Sequence, residues 1–226
     1  MKTRALLLIL TGLCGHQVSG QGANISPSIQ HQKSVQLSFG TQGVGAEFNY
    51  GITRSLALSA GGNIAAIKAS NIFEVSGLNS TSKVSADFYK IHLMADYTPF
   101  ENLRWLRLVG GAAYFFKASG DATIYPSDDY KYGDLLLSPD QVGDVTLNID
   151  WNGFAPYLGL GFANIFPRRS FNINFDFGTY YLDRPVATIV GTGILSGNDS
   201  QTSQLQQNVR NYRWLPVLQI NFNLKL

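Results

Sequence analysis

The stretch FNINFDFGTYYL, residues 171–182, alternates apolar and polar side chains with a period of two. The apolar residues at its odd positions share one face of an extended chain: Phe171, Ile173, Phe175 and Phe177. A repeat of two residues is that of a β-strand, in which successive side chains point to opposite faces. The stretch therefore predicts a strand with one apolar face and one polar face, and the fold depends on which face meets water.

Seven more segments can be proposed as strands, and most of them alternate in the same way. With boundaries good to about ±2–4 residues, the eight predicted strands are 33–42, 44–53, 55–67, 83–97, 104–118, 153–166, 171–183 and 213–226. The third segment is the weakest, because its second face carries small residues instead of polar ones. The chain is thus predicted to be all-β.

The links between these strands alternate between short and long. Three links are short, at 52–54, 98–104 and 166–169, and three polar stretches are long, at 68–82, 119–152 and 184–212. Outer-membrane barrels have short periplasmic turns and long outer loops. The first link, Thr41-Gln42-Gly43, breaks this rule, so a continuous bent strand is the competing interpretation there.

The composition favours a membrane barrel over an ordinary soluble domain. Only 14% of the 226 residues are charged, against about 25% in an average soluble domain, and the chain holds 23 Gly, 14 Phe and 11 Tyr. After the first dozen or so residues, no apolar run approaches the roughly 20 residues of a spanning helix. We therefore predict a closed antiparallel transmembrane β-barrel over residues 33–226, with eight strands.

The first 20 residues have the three parts of a secretory signal peptide. Lys2 and Arg4 precede the apolar run ALLLIL, and small residues stand before Gln21. Removal of residues 1–20 leaves 15 basic residues against 15 acidic ones, no cysteine, and a lead-in segment at 21–32. No basic run stands out in the remaining chain, so we expect no nucleic-acid binding.

One stretch leaves the number of strands open. Asn152-Gly153 lies between two extended runs, and an Asn-Gly pair is a strong hairpin signal. The apolar face also changes there from odd to even positions, which a bulge in one long strand would explain equally well. We prefer the bulge, because the fifth segment keeps its even parity through Ala118. Strands five and six would then project beyond the membrane, and a ten-stranded barrel is the alternative.

The polar faces carry charges of both signs, which favours a lipid-facing exterior and a polar interior. In a narrow lumen such groups can pair, whereas an unpaired buried charge is costly. The candidate interior network is Glu47, Lys90, His92, Asp96, Arg107, Asp176 and Lys225. Aromatic residues near the segment ends suit interfacial girdles: Tyr50, Tyr97, Phe100, Trp105, Phe166, Tyr180, Tyr181 and Trp214.

Three stretches resemble small outer-membrane β-barrel proteins of Gram-negative bacteria, the class that includes the OmpA transmembrane domain. They are GVGAEFNYGITRSLALSAGG, APYLGLGF and the C-terminal LPVLQINFNLKL. The resemblance covers most of the mature chain as a pattern. It implies an outer-membrane location, contact with outer-membrane lipid or lipopolysaccharide, and insertion by the barrel assembly machinery. Such chains often end on an aromatic residue, whereas this one ends on Leu226, with Phe222 four residues earlier.

The sequence offers no strong catalytic or cofactor site. His92 is a candidate base for an envelope lipid-modifying enzyme, but no serine is placed beside it as a nucleophile; His31 is expected to be a solvated terminal residue. The aspartates Asp128, Asp129, Asp134 and Asp140 match no calcium-loop spacing. We expect no cofactor, no metal and no enzymatic activity.

The interior of an eight-stranded barrel is just wide enough for side chains to fill. The sequence therefore predicts a filled lumen with at most a leak for water or small ions, and a structural or surface-binding role through the long loops. The alternatives are an envelope lipid-modifying enzyme with His92 as base, a narrow porin, and a carrier of a hydrophobic ligand.

Overall fold

The computed structural model describes residues 28–71, 80–132 and 135–226. The predicted signal peptide lies outside this part of the chain. The strands of the described residues are β1 (Lys33–Gly40), β2 (Gly43–Gly51), β3 (Leu56–Ser70), β4 (Ser80–Tyr97), β5 (Leu106–Pro126), β6 (Tyr130–Tyr132), β7 (Leu135–Leu137), β8 (Val145–Asp150), β9 (Gly153–Phe162), β10 (Phe171–Tyr181), β11 (Val186–Gly191) and β12 (Trp214–Lys225). Two short helices, α1 (Pro139–Val142) and α2 (Thr202–Val209), complete them.

Eight of these strands form a closed antiparallel ring. The order around it is β1, β2, β3, β4, β5, β9, β10 and β12, and β12 then pairs with β1. The closing pair runs from Ser34 opposite Lys225 to Gly40 opposite Gln219. Closure gives every strand of the ring two neighbours, so no edge is left open. The predicted all-β barrel of eight strands is confirmed.

The first hairpin is a true turn. Gly40 pairs with Gly43, so only Thr41 and Gln42 connect β1 and β2. Gly43 has a φ of 78°, and a Cβ there would lie 2.1 Å from the carbonyl oxygen of Ile64. Glycine is therefore required at this position, both for its positive φ and for the close approach of β3. The alternative of one bent strand through this region is wrong.

The sixth strand of the ring is interrupted, but it does not turn back. Both β8 and β9 pair with β5, with Ser119 opposite Asp150 and Phe115 opposite Gly153. Asn152-Gly153 is therefore no hairpin, and the ten-stranded alternative is wrong.

The extra residue belongs to β5 instead. Tyr89 lies opposite Lys117 whereas Lys90 lies opposite Phe115, so Phe116 is bulged out of register. This corrects the assumption that the fifth segment keeps its parity, because Ala118 beyond the bulge is fully buried while Phe116 is exposed.

The barrel continues at one end into a sheet that we call the extension. The strands β3, β4 and β5 have 15, 18 and 21 residues, against 8 and 9 for β1 and β2. Beyond the ring, β8 pairs with β5, and β11 pairs with β8. The predicted loops 119–152 and 184–212 therefore contain strands, α1, α2 and a 3-10 helix at Gly193–Gln201. The opposite end, which we call the short-link end, contains the links 52–55, 98–105 and 163–170.

The outer face of the ring is apolar and the inner face is polar. Phe175 and Ile220 are exposed on the outside, whereas Asn221 is fully buried and Asp176 points inward. We call the exposed apolar set the outer belt: Leu37, Phe39, Val44, Phe48, Leu58, Ile64, Ile91, Leu93, Leu108, Tyr114, Phe154, Leu158, Leu160, Ile173, Phe175, Phe177, Leu218 and Ile220. A soluble carrier of a hydrophobic ligand has the opposite arrangement. No helix of the described residues is long and apolar enough to cross a membrane.

The interior has three layers. An apolar cluster of Ala57, Ile165 and Phe166, with Ile29 against it, closes the short-link end. A polar layer follows at mid-height. A second, larger apolar cluster then fills the barrel toward the extension: Phe88, Met94, Val109, Ala113, Phe115, Ala118, Trp151, Ala155, Tyr157, Tyr180, Leu182, Leu215 and Val217.

Two of the predicted girdle aromatics lie inside the barrel. Phe166 and Tyr180 are almost fully buried in the two apolar clusters. Other predicted girdle residues are exposed near the strand ends, among them Tyr97, Phe100, Trp105 and Trp214. Trp105 stacks on Phe162 at one end of the ring, and Tyr181 packs against Trp214 at the other.

Candidate functional site

The polar layer at mid-height is the candidate site, and six of the seven predicted network residues meet there. Four different strands bring them together because alternate residues of each strand face the lumen. We call this set the charged layer: Glu47 on β2; Lys90, His92 and Asp96 on β4; Arg107 on β5; and Asp176 on β10. All six line one cavity of about 30 Å³.

Arg107 connects the two sides of this layer. Its Nη1 donates to Asp96, its Nη2 donates to Asp176 at 2.7 Å, and its Nε donates to the carbonyl oxygen of Ala163 at 2.9 Å. Ser59 donates a further hydrogen bond to Asp96 at 3.1 Å. Arg107 is buried, and a guanidinium held between two carboxylates fixes strands β4, β5 and β10 at one height.

A chain of amides continues from Asp176 to Glu47. Asn221 Nδ2 donates to Asp176 Oδ2 at 2.5 Å and to Asn174 Oδ1 at 2.6 Å. Gln219 Nε2 in turn donates to Asn221 Oδ1 at 2.7 Å and to Glu47 Oε1 at 3.4 Å. The carboxylates of β2 and β10 are therefore joined through side chains of β12.

The two other basic residues of the charged layer, Lys90 and His92, lie on β4. His92 Nε2 is 3.5 Å from Glu47 Oε1. Lys90 Nζ donates to the hydroxyl of Tyr180 and lies 4.2 Å from the centre of that ring, a cation–π contact. Lys90 therefore joins the charged layer to the apolar cluster that contains Tyr180.

Lys225 does not belong to this network, which corrects the prediction. It is exposed at the short-link end, where it lines a different cavity. The strand alternation puts its side chain on the polar face, but the barrel has already ended at this height. His31 also lies outside the layer, and its Nδ1 is 3.0 Å from the hydroxyl of Tyr50.

Three glycines make room for the large interior side chains. A Cβ at Gly161 would lie 2.4 Å from Cζ of Arg107. At Gly159 and Gly178, a Cβ would lie 2.5 and 2.4 Å from the hydroxyl oxygen of Tyr157. Glycine at these positions therefore lets Arg107 and Tyr157 lie flat against the wall of β9 and β10.

Sequence reasoning missed several members of the site. The sequence predicts a girdle position for Tyr180 and does not single out the amides Asn174, Gln219 and Asn221 as site residues. The period-two pattern does place them on the inner face, and glycines two residues from a tyrosine in YLGLGF and FGTYY are a further signal. The pattern carries no information on which inward residues of distant strands share a height.

Some interior polar atoms lack protein partners within the described residues. Gln36 Oε1, Asn63 Oδ1 and His92 Nδ1 are buried without hydrogen bonds, and all three residues line the cavity of the charged layer. A polar wall of this kind, around about 30 Å³, suits one or two water molecules better than an apolar ligand.

The described residues supply little for catalysis or metal binding. Among them, no group of three or more His, Cys, Asp or Glu side chains is arranged to hold a metal ion. Asp134 lies outside the described residues. His92 is enclosed between the two apolar layers, and no described serine hydroxyl is bonded to it. The arrangement provides fixed buried charges, not a nucleophile open to lipid.

An apolar exterior, a closed ring of eight strands and a charged but filled interior define a β-barrel of the outer-membrane type. Among solved structures, the chain is similar to CarO2 of Acinetobacter baumannii, with a TM-score of 0.63 and 20% identity over 86% of this chain and 98% of that one. It is also similar to CarO of Acinetobacter baumannii, with a TM-score of 0.61 and 22% identity over 88% and 98% of the two chains. These likenesses establish the fold.

A major outer membrane protein from Thermus thermophilus aligns at a TM-score of 0.48 and 13% identity over 86% of this chain and 98% of that one. No protein-family model and no curated protein sequence matches the chain.

Proposed function

We propose that the protein is a bacterial outer-membrane β-barrel with a closed lumen, whose role is structural or lies in surface binding through the extension. The observation that carries this proposal is the pairing of an apolar outer belt with an interior filled at three heights. In hydrocarbon, every backbone polar group needs an internal partner, and a closed ring supplies those partners. The layered interior argues against a wide channel.

The extension is the part available to a partner on the outer side. Large apolar side chains are exposed there, away from the outer belt: Leu135, Leu136, Ile194 and Tyr212. Exposed apolar residues beside polar ones are typical of interaction surfaces. A surface partner or ligand is therefore expected to contact the β6–β7 hairpin, the 3-10 helix or the segment after α2.

The remaining partners follow from the location. Outer-membrane lipid and lipopolysaccharide would surround the outer belt, and the barrel assembly machinery would insert the chain. The strand β12 supports this with Phe222 and Leu224 at alternate positions. Nucleic acid is not expected as a partner.

Cell fractionation and a lipid-bilayer recording test the proposal. The protein should be recovered with the outer membrane and should migrate differently on a gel before and after boiling. The purified barrel should show no steady conductance above that of the bilayer. Recovery in the soluble periplasmic fraction would exclude the location, and large constant pores would replace the closed lumen with a porin.

A narrow gated channel is the second candidate, favoured by the charged layer itself. Buried charges at mid-height cost stability, and a path for water or small ions is one reason to retain them. If the apolar cluster above them is the barrier, Phe115→Ala should raise the bilayer conductance while Phe177→Ala on the outer belt should not. Equal conductance of both variants and the parent would leave only the structural or surface-binding role.

The envelope-lipid enzyme is tested separately. Lipid A from a deletion strain should match lipid A from strains carrying the parent or His92→Ala, because His92 is enclosed. A lipid A change shared by the deletion and His92→Ala strains would restore the enzymatic hypothesis.

A further inference from the structure

The short-link end of the barrel contains a cavity larger than that of the charged layer, and four basic side chains line it. The cavity measures about 370 Å³. Each of the three short links contributes one arginine, and the last strand contributes a lysine: Arg54, Arg104, Arg168 and Lys225. This arrangement brings together residues up to 171 positions apart in the chain. The three arginines are separated in sequence, so only the closed ring places them at one cavity.

Among the residues whose side chains the structure describes, none that lines this cavity is acidic. In sequence, the three links 52–55, 98–105 and 163–170 contain four arginines and a single acid, Glu101. The mature chain is otherwise balanced, with 15 basic and 15 acidic residues after position 20. The excess of positive charge is therefore a local property of the short-link end and does not follow from the net charge of the whole mature chain.

Three of these cations have no acidic partner within the described part of the chain. Arg54, Arg168 and Lys225 form no side-chain ion pair there, whereas Arg107 and Lys117 each contact a carboxylate. Like charges that share a cavity repel each other, and a bound anion would remove that repulsion. Residues 21–27, which lead toward the described chain, contain no acid that could do so.

We propose that this cavity binds an anion that carries a phosphate or carboxylate group. Guanidinium groups match both oxyanions with paired hydrogen bonds. The volume lies within the range of about 300–1,000 Å³ typical of small-molecule sites. Phe100, Phe166 and Pro99 line the same cavity and offer contact to a carbon skeleton. The apolar cluster around Ile165 closes the way into the barrel, so the anion is held and not passed on.

The anion has two possible sources with this shared chemistry. Tyr97 and Phe100 are exposed and line the cavity, so it reaches the edge of the outer belt. A phospholipid phosphate could therefore enter from the side, and a soluble organic phosphate or carboxylate could enter from the aqueous mouth. The proposal does not depend on a surface-binding role of the extension, because the two sites lie at opposite ends of the barrel.

Calorimetric titration of the folded full barrel tests the proposal. The probes are inorganic pyrophosphate and citrate, titrated into the protein in uncharged detergent micelles and in nanodiscs of zwitterionic lipid. We expect saturable binding that weakens as salt is raised. Arg54→Gln combined with Arg168→Gln should weaken it by about tenfold or more, since each hydrogen bond to a charged group is substantial. Arg169→Gln is the matched control, because Arg169 is the exposed neighbour of Arg168 and does not line the cavity.

Comparison of micelles with nanodiscs, including nanodiscs that contain phosphatidylglycerol, distinguishes the two sources. If pyrophosphate binds the parent in micelles but not in nanodiscs, zwitterionic or anionic, a lipid phosphate occupies the site, because every phospholipid carries one; if binding persists in the nanodiscs, the ligand is soluble. Either result supports the anion site. Absence of saturable binding for both probes and for the anionic lipid would overturn it, as would an equal loss of affinity in the combined Arg54→Gln and Arg168→Gln variant and in Arg169→Gln. Fractionation and conductance would be unaffected, so this failure is separate from failure of the proposed function.

Discussion

The two halves of β4 have opposite chemistry although they form one continuous strand. In the half that belongs to the extension, the outward residues are Lys83, Ser85 and Asp87, and the inward ones are Val84, Ala86 and Phe88. In the half that belongs to the ring, the outward residues are Tyr89, Ile91, Leu93, Ala95 and Tyr97, and the inward ones include Lys90, His92 and Asp96. Odd positions face outward throughout.

This difference shows that the surrounding medium, and not the strand itself, decides which face is apolar. Between Phe88 and Lys90, the inward side chains of β4 change from apolar to polar and the outward ones from polar to apolar. Odd positions continue to face outward. The apolar outward run from Tyr89 to Tyr97 has nine residues, which matches the roughly 9–11 residues of a transmembrane strand. The ring half is thus the part suited to lipid, and the extension is suited to water. The same boundary on β5 falls at the bulged Phe116.

The largest expected effect is the loss of the arginine that holds the ring half together. Arg107→Met leaves Asp96 and Asp176 buried without their cation, which should cost about 3–5 kcal/mol. Urea unfolding in lipid vesicles, followed by the heat-dependent gel shift, measures this. Lys117→Met is the control in the extension, because its ion pair with Asp87 is exposed, and we expect little change. Equal losses of unfolding free energy in Arg107→Met and Lys117→Met would mean that the charged layer contributes no more stability than an exposed ion pair.

The second-largest effect tests whether the outward face of the ring half lies in lipid. Leu93→Arg puts a charge at the middle of the outward apolar run of β4, where it should cost about 2–4 kcal/mol. Ser85→Arg puts the same charge on the same face in the extension, and we expect almost no cost. Folding yield into vesicles and urea midpoints of both variants provide the comparison. Similar behaviour of the two variants would contradict the assignment of the ring half to lipid.

Much of this comparison was present in the sequence. The period of two in 171–182 and in 213–226 fixed the faces of β10 and β12 because one face of each strand is uniformly apolar. Six of the seven candidate network residues share a cavity for the same reason. The charges Glu47, Asp96 and Arg107 could therefore be assigned to the interior before any coordinates were known.

The extension was not predictable in the same way. Its outward faces are polar, so stretches such as 80–82 and 119–126 are predicted as loops when only lipid-facing patterns indicate a strand. Around Asn152 the apolar residues change from odd to even positions, which predicts a bulge in the sixth strand. In the structure, Trp151 and Ala155 both face inward, so it is the apolar face of the strand that changes there. The period-two pattern does not predict which residues of neighbouring strands pair, so the contact partners of Tyr180 and Asn221 could not be derived.

A third effect concerns the boundary between the charged layer and the apolar cluster. Gly178→Ala would place a Cβ 2.4 Å from the hydroxyl oxygen of Tyr157 and 2.6 Å from the carbonyl oxygen of Leu158. Such overpacking should cost about 1–3 kcal/mol. Gly110→Ala is the matched control, since nothing lies within 4 Å of its Cβ position. Urea midpoints of the two variants measure the difference, and a Gly178→Ala protein as stable as Gly110→Ala would show that Tyr157 is not packed tightly at this boundary.

The smallest effect concerns how the extension protects its open edge. The ring needs no such device because β1 and β12 close it, but β11 pairs on one side only. Its free amides are covered by side chains instead: Ala187 N–H donates to Gln206 Oε1 at 2.8 Å, and Ile189 N–H donates to Thr202 Oγ1 at 3.1 Å.

Gln206→Ala should therefore cost about 0.5–1.5 kcal/mol and accelerate hydrogen exchange at Ala187, with a smaller change at Ile189. Gln204→Ala is the control, because Gln204 is exposed and donates its hydrogen bond to Asn208 on the same helix. Unchanged exchange at Ala187 in Gln206→Ala would mean that α2 does not protect this edge.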